Sequence, residues 1–295
     1  SGTISIASGA SLSSGSQNLT NAATGAIRGA GTLDLGGNTL TNNGTIAPGV
    51  GAGNTATLSI TGNLTNTGSI EIKLGGTTAG TQYDVLAVTG ALTRGGTVAF
   101  SEINSFVTDG GQSFTPFTHA SASGTFAITN PTDVNLAPTY GATMTAFLSS
   151  VVTRFTGASS AAWETTANWT RGTPTAAKDA IVDVTGSTKT ATVSTGTQVA
   201  KSLTLGGDET VSITGGTLQL DGTSSSVIGS TLSLSNGTLN GIGQMTVNGN
   251  FTWSGGTITG AGALNTSGTT SFTGGTLTTK TWNNSGTVGV SGSQI

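Results

Sequence analysis

Apolar and small polar residues alternate in short runs along this chain. Leu58-Ser59-Ile60 and Leu232-Ser233-Leu234 are typical, with Leu or Ile at every second position and Ser between. A period of two belongs to a strand with one buried and one solvated face. The runs hold about three to five residues, too short for helices. Gly and Asn punctuate them, supplying the positive φ that sharp corners require. Ala142 to Val152 reads equally as a short helix or as an irregular strand, because its β-branched residues weaken helix formation.

The punctuation is periodic. Gly-Thr-(Ile/Leu/Val) recurs at Gly2, Gly31, Gly44, Gly96, Gly216, Gly237, Gly256, Gly275 and Gly286, with Gly68-Ser69-Ile70 and Gly124-Thr125-Phe126 as variants. From Gly216 through Gly237 and Gly256 to Gly275 the steps are 21, 19 and 19 residues, a solenoid period. A longer motif overlays Leu33 to Ile46, Leu58 to Ile70 and Met245 to Ile258. Each copy predicts strand, Gly-Asn corner, strand, glycine corner, strand.

The expected fold is therefore all-β: a parallel, right-handed β-helix with two or three short strands per rung and rungs of about 20 residues stacked about 4.8 Å apart. Coiled throughout, the chain makes about 15 rungs and spans roughly 70 Å. A β-sandwich array is the alternative architecture. Low-complexity disorder fits the composition but leaves the phased Leu, Ile and Val without purpose.

Four of the five prolines and 11 of the 15 aromatics lie between Tyr83 and Pro174. That stretch is an irregular interruption with wider rungs, long loops or cap-like packing. A boundary near residue 150 divides the chain into 1–150, a solenoid forming the C-terminal half of a repeat unit, and 151–295, the N-terminal half of a following unit that starts near Trp163. Ser285 to Gly292 resembles Ser1 to Gly9, and joining residue 295 to residue 1 reproduces the 11-residue step from Gly275 to Gly286. On this reading the chain is one window of a longer repetitive protein whose natural frame begins near Arg154. The alternative is that any two rungs look alike.

Composition narrows the chemistry. Charged residues make up 7% of the chain, with 9 Lys+Arg against 12 Asp+Glu and a net charge of −3. The cations are scattered from Arg28 to Lys280, which argues against a nucleic-acid surface and a basic membrane patch. No run approaches the length of a membrane-spanning helix, and no leader is recognisable. Zero cysteines remove disulfides, thiolate metal sites and a cysteine nucleophile.

Candidate sites are few. His119, the single histidine, has no neighbouring serine or carboxylate in a known catalytic motif, so a triad would have to be assembled by folding. Asp34, Glu71, Asp84 and Glu102 are spread over different rungs, whereas β-helical polysaccharide enzymes need carboxylates gathered in one groove. No cofactor is expected. Calcium could be shared by Asp179 and Asp183 if a turn joined them, and Gly206-Gly207-Asp208-Glu209 is only a fragment of the calcium-binding nonapeptide. Stacked Thr257-Ile258-Thr259 and Thr276-Leu277-Thr278 raise ice binding, although their middle residues are apolar. Trp163 and Trp169 are the ligand-contact candidates, read either as a sugar-stacking platform or as packing that anchors a unit.

Trp163-Glu164-Thr165-Thr166-Ala167-Asn168-Trp169-Thr170-Arg171-Gly172-Thr173-Pro174, followed by Asp179-Ala180-Ile181-Val182, resembles the opening of repeat units in large bacterial surface proteins. Gly62-Asn63-Leu64-Thr65, Gly80 to Gly90 and Gly95-Gly96-Thr97-Val98 resemble the segment that closes autotransporter-type β-helical passengers. The two appear in reversed order, as a cut frame requires. The resemblance to autotransporter passengers and filamentous haemagglutinin-type adhesins implies a non-catalytic, extracellular structural solenoid at the bacterial surface. Its expected role lies in a filament, biofilm or cell–cell matrix, and self-association is its expected partnership. The alternative is a glycan- or receptor-binding adhesin module using loops in 109–174.

Overall fold

The computed structural model describes residues 2–184, 186 and 188–292. Ser1 and residues 293–295, which enter the comparison of the chain ends, lie outside the described residues. The fold is an all-β parallel solenoid of about 14 turns of roughly 21 residues, with almost no helix. The chain divides into two compact units, Ser1–Ser150 and Val151–Ile295.

In the second unit each rung contributes to three parallel sheets. One contains Lys178–Val182, Ser202–Leu205, Ser226–Ile228, Met245–Val247, Leu264–Thr266 and Trp282–Asn284. The second contains Thr190–Val193, Thr210–Ile213, Thr231–Leu234, Asn250–Trp253, Thr269–Phe272 and Thr287–Val290. The third contains Thr197–Ala200, Thr217–Leu220, Thr238–Gly241, Thr257–Ile258 and Thr276–Leu277. Period-two burial turns one side chain in two inward, and the parallel register stacks those side chains in columns such as Leu218, Leu239, Ile258 and Leu277. The first three of these are fully buried. The second sheet carries the column Ile213, Leu234, Trp253, Phe272 and Val290.

The first unit has a different cross-section. Its regular sheet contains Thr3–Ile6, Ala26–Gly29, Thr45–Pro48, Ser69–Leu74, Thr97–Glu102 and Ala127–Thr129. On the other side, Thr32–Asn42 pairs with both Ser11–Ser13 and Leu19–Asn21, and Thr57–Asn66 pairs with both Val85–Val88 and Ala91–Arg94. A corner in one rung is thus straightened into strand interior in the next. The Gly62-Asn63 corner expected from the sequence is one of these: burial alternates without a break along all ten residues of Thr57–Asn66. Strands here also exceed the expected three to five residues, reaching 11 in Thr32–Asn42.

Register corrects the sequence overlay as well. Leu33 pairs with Ile60 rather than Leu58, and the ladder slips between Asp34 and Thr39 before Leu40 meets Leu64. Leu35 to Asn38 stand against the single residue Gly62 at this irregularity. All nine Gly-Thr-apolar triplets open a strand at their threonine, but not on one side of the solenoid. Thr276 lies in the third sheet and Thr287 in the second, so the 11-residue step from Gly275 to Gly286 joins two sides of a rung and is not a rung period.

The aromatic interruption is where the parallel ladder gives way. Ser113–Thr118 runs parallel to Val85–Val88 on one edge and antiparallel to Met144–Arg154 on the other. The helix-or-strand segment is accordingly a strand of 11 residues, because Phe147 and Val151 alternate inward with Thr145, Ser149 and Thr153. Phe147 packs 4.9 Å from Phe100 and 6.1 Å from Phe117. Among the described residues no helix is long and apolar enough to cross a membrane.

Glycine at the corners is a spacing requirement. Gly216, Gly237 and Gly256 stand above one another, and a Cβ on Gly237 would meet the Gly216 carbonyl oxygen at 2.5 Å. Gly237 also has φ +82°, which L side chains avoid. Replacing Gly237 by Ala is expected to cost about 1–3 kcal/mol, read as a lowered thermal midpoint in circular dichroism. An unchanged midpoint would show that the corner can open.

Candidate functional site

The Trp163 to Pro174 motif folds into a tight anchor ahead of the second unit's first regular rungs. Its only regular element is the short 3₁₀ turn Thr166–Asn168. Trp163 and Trp169 are 1% and 5% exposed, their rings meet edge to face at 4.7 Å, and the Trp169 indole N–H donates to the Trp163 carbonyl at 2.8 Å. Phe155 closes the other side of Trp169 at 5.2 Å. A sugar-stacking platform needs an exposed ring face, and this burial leaves none.

The polar residues between the two indoles tie the anchor down. Asn168 is fully buried, accepts from the backbone N–H of Ser159 and Ser160, and donates to the Ala162 carbonyl. Glu164 accepts from the Ser194 N–H, the Ser194 hydroxyl and the Thr195 N–H. Burial alone would raise its carboxyl pKa, but a hydrogen bond from its own backbone N–H together with these three holds it below the usual glutamate value.

A second cluster grows from an asparagine column inside the first unit. Asn21 donates to Asn42 at 2.7 Å, Asn42 to Asn66 at 2.6 Å, and Asn66 to the Gly95 carbonyl at 2.6 Å. All three asparagines are buried. The next rung sets Leu92 and Thr93 beside Leu64 and Thr65, which brings Arg94 to the end of the column. Arg94 donates to the Thr145 hydroxyl at 3.0 Å, lies 3.2 Å from His119 Nε2 and stacks 4.6 Å from the Tyr140 ring centre. Burial lowers the pKa of this guanidinium, and burial followed by the Arg94 charge lowers that of His119, against a smaller opposing contribution from the Ala142 backbone. His119 thus serves the termination of a polar column, beside residues the sequence did not connect with it.

Asp84, from the segment resembling a passenger closing motif, is fully buried. Its carboxylate accepts from the N–H groups of Ala56 and Lys73 and from the Lys73 ammonium, each at 2.9 Å. Lys73 also donates to the Pro48 carbonyl at 2.6 Å. Burial pushes the Asp84 carboxyl up, offset in part by the Lys73 contacts. The remaining acids separate. Asp34 caps the Gly36 N–H, Glu71 pairs with Arg28 at 3.4 Å at the surface, and Glu102 accepts from the Thr108 N–H. The Arg28–Glu71 pair borders a shallow groove of about 550 Å³ under Gly51 and Ala52.

Asp179 and Asp183 do not share an ion. Four steps along extended backbone set them about 13 Å apart, and Asp179 is engaged by the Lys201 ammonium at 2.9 Å and the Ser202 hydroxyl at 2.6 Å. The paired threonines do stack, with Thr257 on Thr276 and the Thr278 hydroxyl donating to Thr259 at 2.8 Å. Compared with known family models, with curated proteins and with solved structures, the chain matches none. The architecture places it in a class, the β-solenoid repeat proteins.

Two outcomes follow from the buried charges. Asp84→Ala strands the Lys73 ammonium and two N–H groups, and should cost about 3–5 kcal/mol in denaturant unfolding. Because the folded-state pKa of His119 lies below its ordinary 6.5, the unfolded chain takes up this proton first as pH falls. Its contribution is complete above about pH 6.5 and declines below it. The thermal midpoint of the parent should therefore fall more steeply between about pH 7.5 and 5 than that of His119→Gln, and equal slopes would remove His119 as the cause.

Proposed function

We propose that the chain is a structural, non-catalytic segment of a long extracellular filament or fibrous adhesin of the bacterial surface, in which the solenoid itself is the function. The observation that carries this reading is the set of parallel ladders running rung to rung through each unit with like residues in register. Backbone hydrogen bonds and apolar columns along one direction make such a structure stiff, and nothing in nearest-neighbour stacking limits its length. The low charge and the resemblance of the Trp163 and Gly80 segments to surface-protein motifs support the same reading.

Self-association through solenoid ends is part of the proposal. Among the described residues, Thr276–Leu277, Trp282–Asn284 and Thr287–Val290 each pair on one side, beside a cavity of about 520 Å³ lined by Trp253, Phe272, Leu277, Trp282, Val288 and Val290. An edge of this kind templates further strands, and a second copy is the occupant proposed here.

Negative-stain electron microscopy and sedimentation velocity over a concentration series provide the test. The expected result is end-to-end fibres that lengthen with concentration. Val290→Lys, at a side chain 57% exposed, should abolish them while leaving the thermal midpoint within about 1 °C, since isolated exposed substitutions cost little. Monomers at every concentration would overturn self-association. A rise in thermal midpoint with a glycan would move the function to the loops of 109–174.

A further inference from the structure

At one corner of the second unit, acidic side chains from successive rungs converge around a glycine turn. Val182 pairs with Leu205, so Asp183 in one rung lies beside Gly206-Gly207 in the next, and the Gly206 N–H donates to the Val182 carbonyl at 3.0 Å. Glu209 ends this turn, and its side chain folds back to the lower rung, where Oε1 accepts from the Val184 N–H at 3.0 Å.

Glu209 is 1% exposed, and its second oxygen, Oε2, has no hydrogen-bond partner among the described residues. The point where a Cβ would stand on Gly207 lies 2.5 Å from Glu209 Oε2 and 3.3 Å from Asp183 Oδ1. The two carboxylate oxygens therefore flank one small space, which only glycine leaves open. It belongs to a cavity of about 440 Å³ that Asp208 and Thr188 also line, and none of its described lining residues is basic. Asp183 differs in this from Asp179, whose charge is already matched by Lys201.

A buried carboxylate oxygen without a donor is costly, and two carboxylates facing one space repel unless a cation lies between them. We infer that Asp183 and Glu209 hold a calcium ion at this corner. Calcium is favoured over magnesium because it accepts irregular cages of six to eight oxygens at 2.3–2.6 Å, filled out by carbonyls and water, whereas magnesium demands a near-ideal octahedron. Two carboxylates on an open corner fit the 10⁻⁴–10⁻³ M affinities of extracellular calcium modules. The ion would clamp adjacent rungs at the point where the glycine turn supplies no side-chain packing.

The site is tested on the full chain stripped with EDTA and titrated with calcium chloride to about 5 mM, well into the range of such affinities. Isothermal titration calorimetry and thermal melting are read together. The expected result is one saturable site and a midpoint raised by about 2–4 °C, with no such rise from sodium chloride of equal ionic strength. Asp183→Asn, at an exposed position, should lose both signals while keeping the calcium-free midpoint. Glu209→Gln keeps an oxygen for the Val184 N–H and should lose them too. No calcium heat and no midpoint rise in the parent chain would overturn the inference. So would a full calcium response in Asp183→Asn, which decides the matter even if Glu209→Gln folds poorly.

Discussion

The structure rests on the distance between rungs. Parallel pairing holds each turn of backbone one strand spacing, about 4.8 Å, from the next, and at the corners that spacing leaves no room for a side chain directed along the stack. Glycine is the consequence. Gly25, Gly44, Gly68 and Gly96 form a column in the first unit in which a Cβ on each later member would run into the carbonyl oxygen of the one before it. The same constraint shapes the surface. A charged residue repeated in register would place like charges one strand spacing apart, costing about 1 kcal/mol per contact even in water. Neutral Thr, Ser and Asn fill those columns instead, and charged residues fall to 7% of the chain.

The buried charged groups of the first unit gather where this regularity fails. The asparagine column satisfies itself through Asn21, Asn42 and Asn66, then meets Arg94 just before the antiparallel pairing of Ser113–Thr118 with Met144–Arg154. The guanidinium takes over from the amides, and His119, Thr145 and Tyr140 surround it. Lys73 and Asp84 perform a similar service beside the turn at Thr78 to Tyr83, where backbone groups of Pro48, Ala56 and Lys73 need partners. Buried ion pairs of this kind contribute little net stability, yet they penalise any register that separates them. They mark the places where the solenoid changes its cross-section.

A structural role draws on these features together. Uniform ladders resist bending, neutral columns tolerate close approach of further rungs, and the Trp163 to Trp169 anchor starts the second unit on a packed aromatic base. A calcium clamp between Asp183 and Glu209 would stiffen the rung transition just beyond that base, where glycine makes the chain loosest.

Much of this was legible in the residues themselves. Period-two alternation located the strands around Leu58 and Leu232, Gly-Thr triplets marked strand starts, and the glycine steps gave the turn length, because burial parity and positive φ are properties of a few consecutive residues. The site chemistry was less legible. Nothing local indicates that the Asn column turns inward, that Gly62-Asn63 is straightened into a strand, that Arg94 reaches His119, or that Asp183 faces Glu209 instead of Asp179. Those contacts depend on how many residues each rung consumes, and the steps vary from 18 between Asn265 and Asn283 to 31 between Leu86 and Phe117. The sequence by itself determined the strand starts at the Gly-Thr triplets and the solenoid class. Only the tertiary structure decided which side chains meet across rungs, because register accumulates over every loop between them and no short segment encodes it.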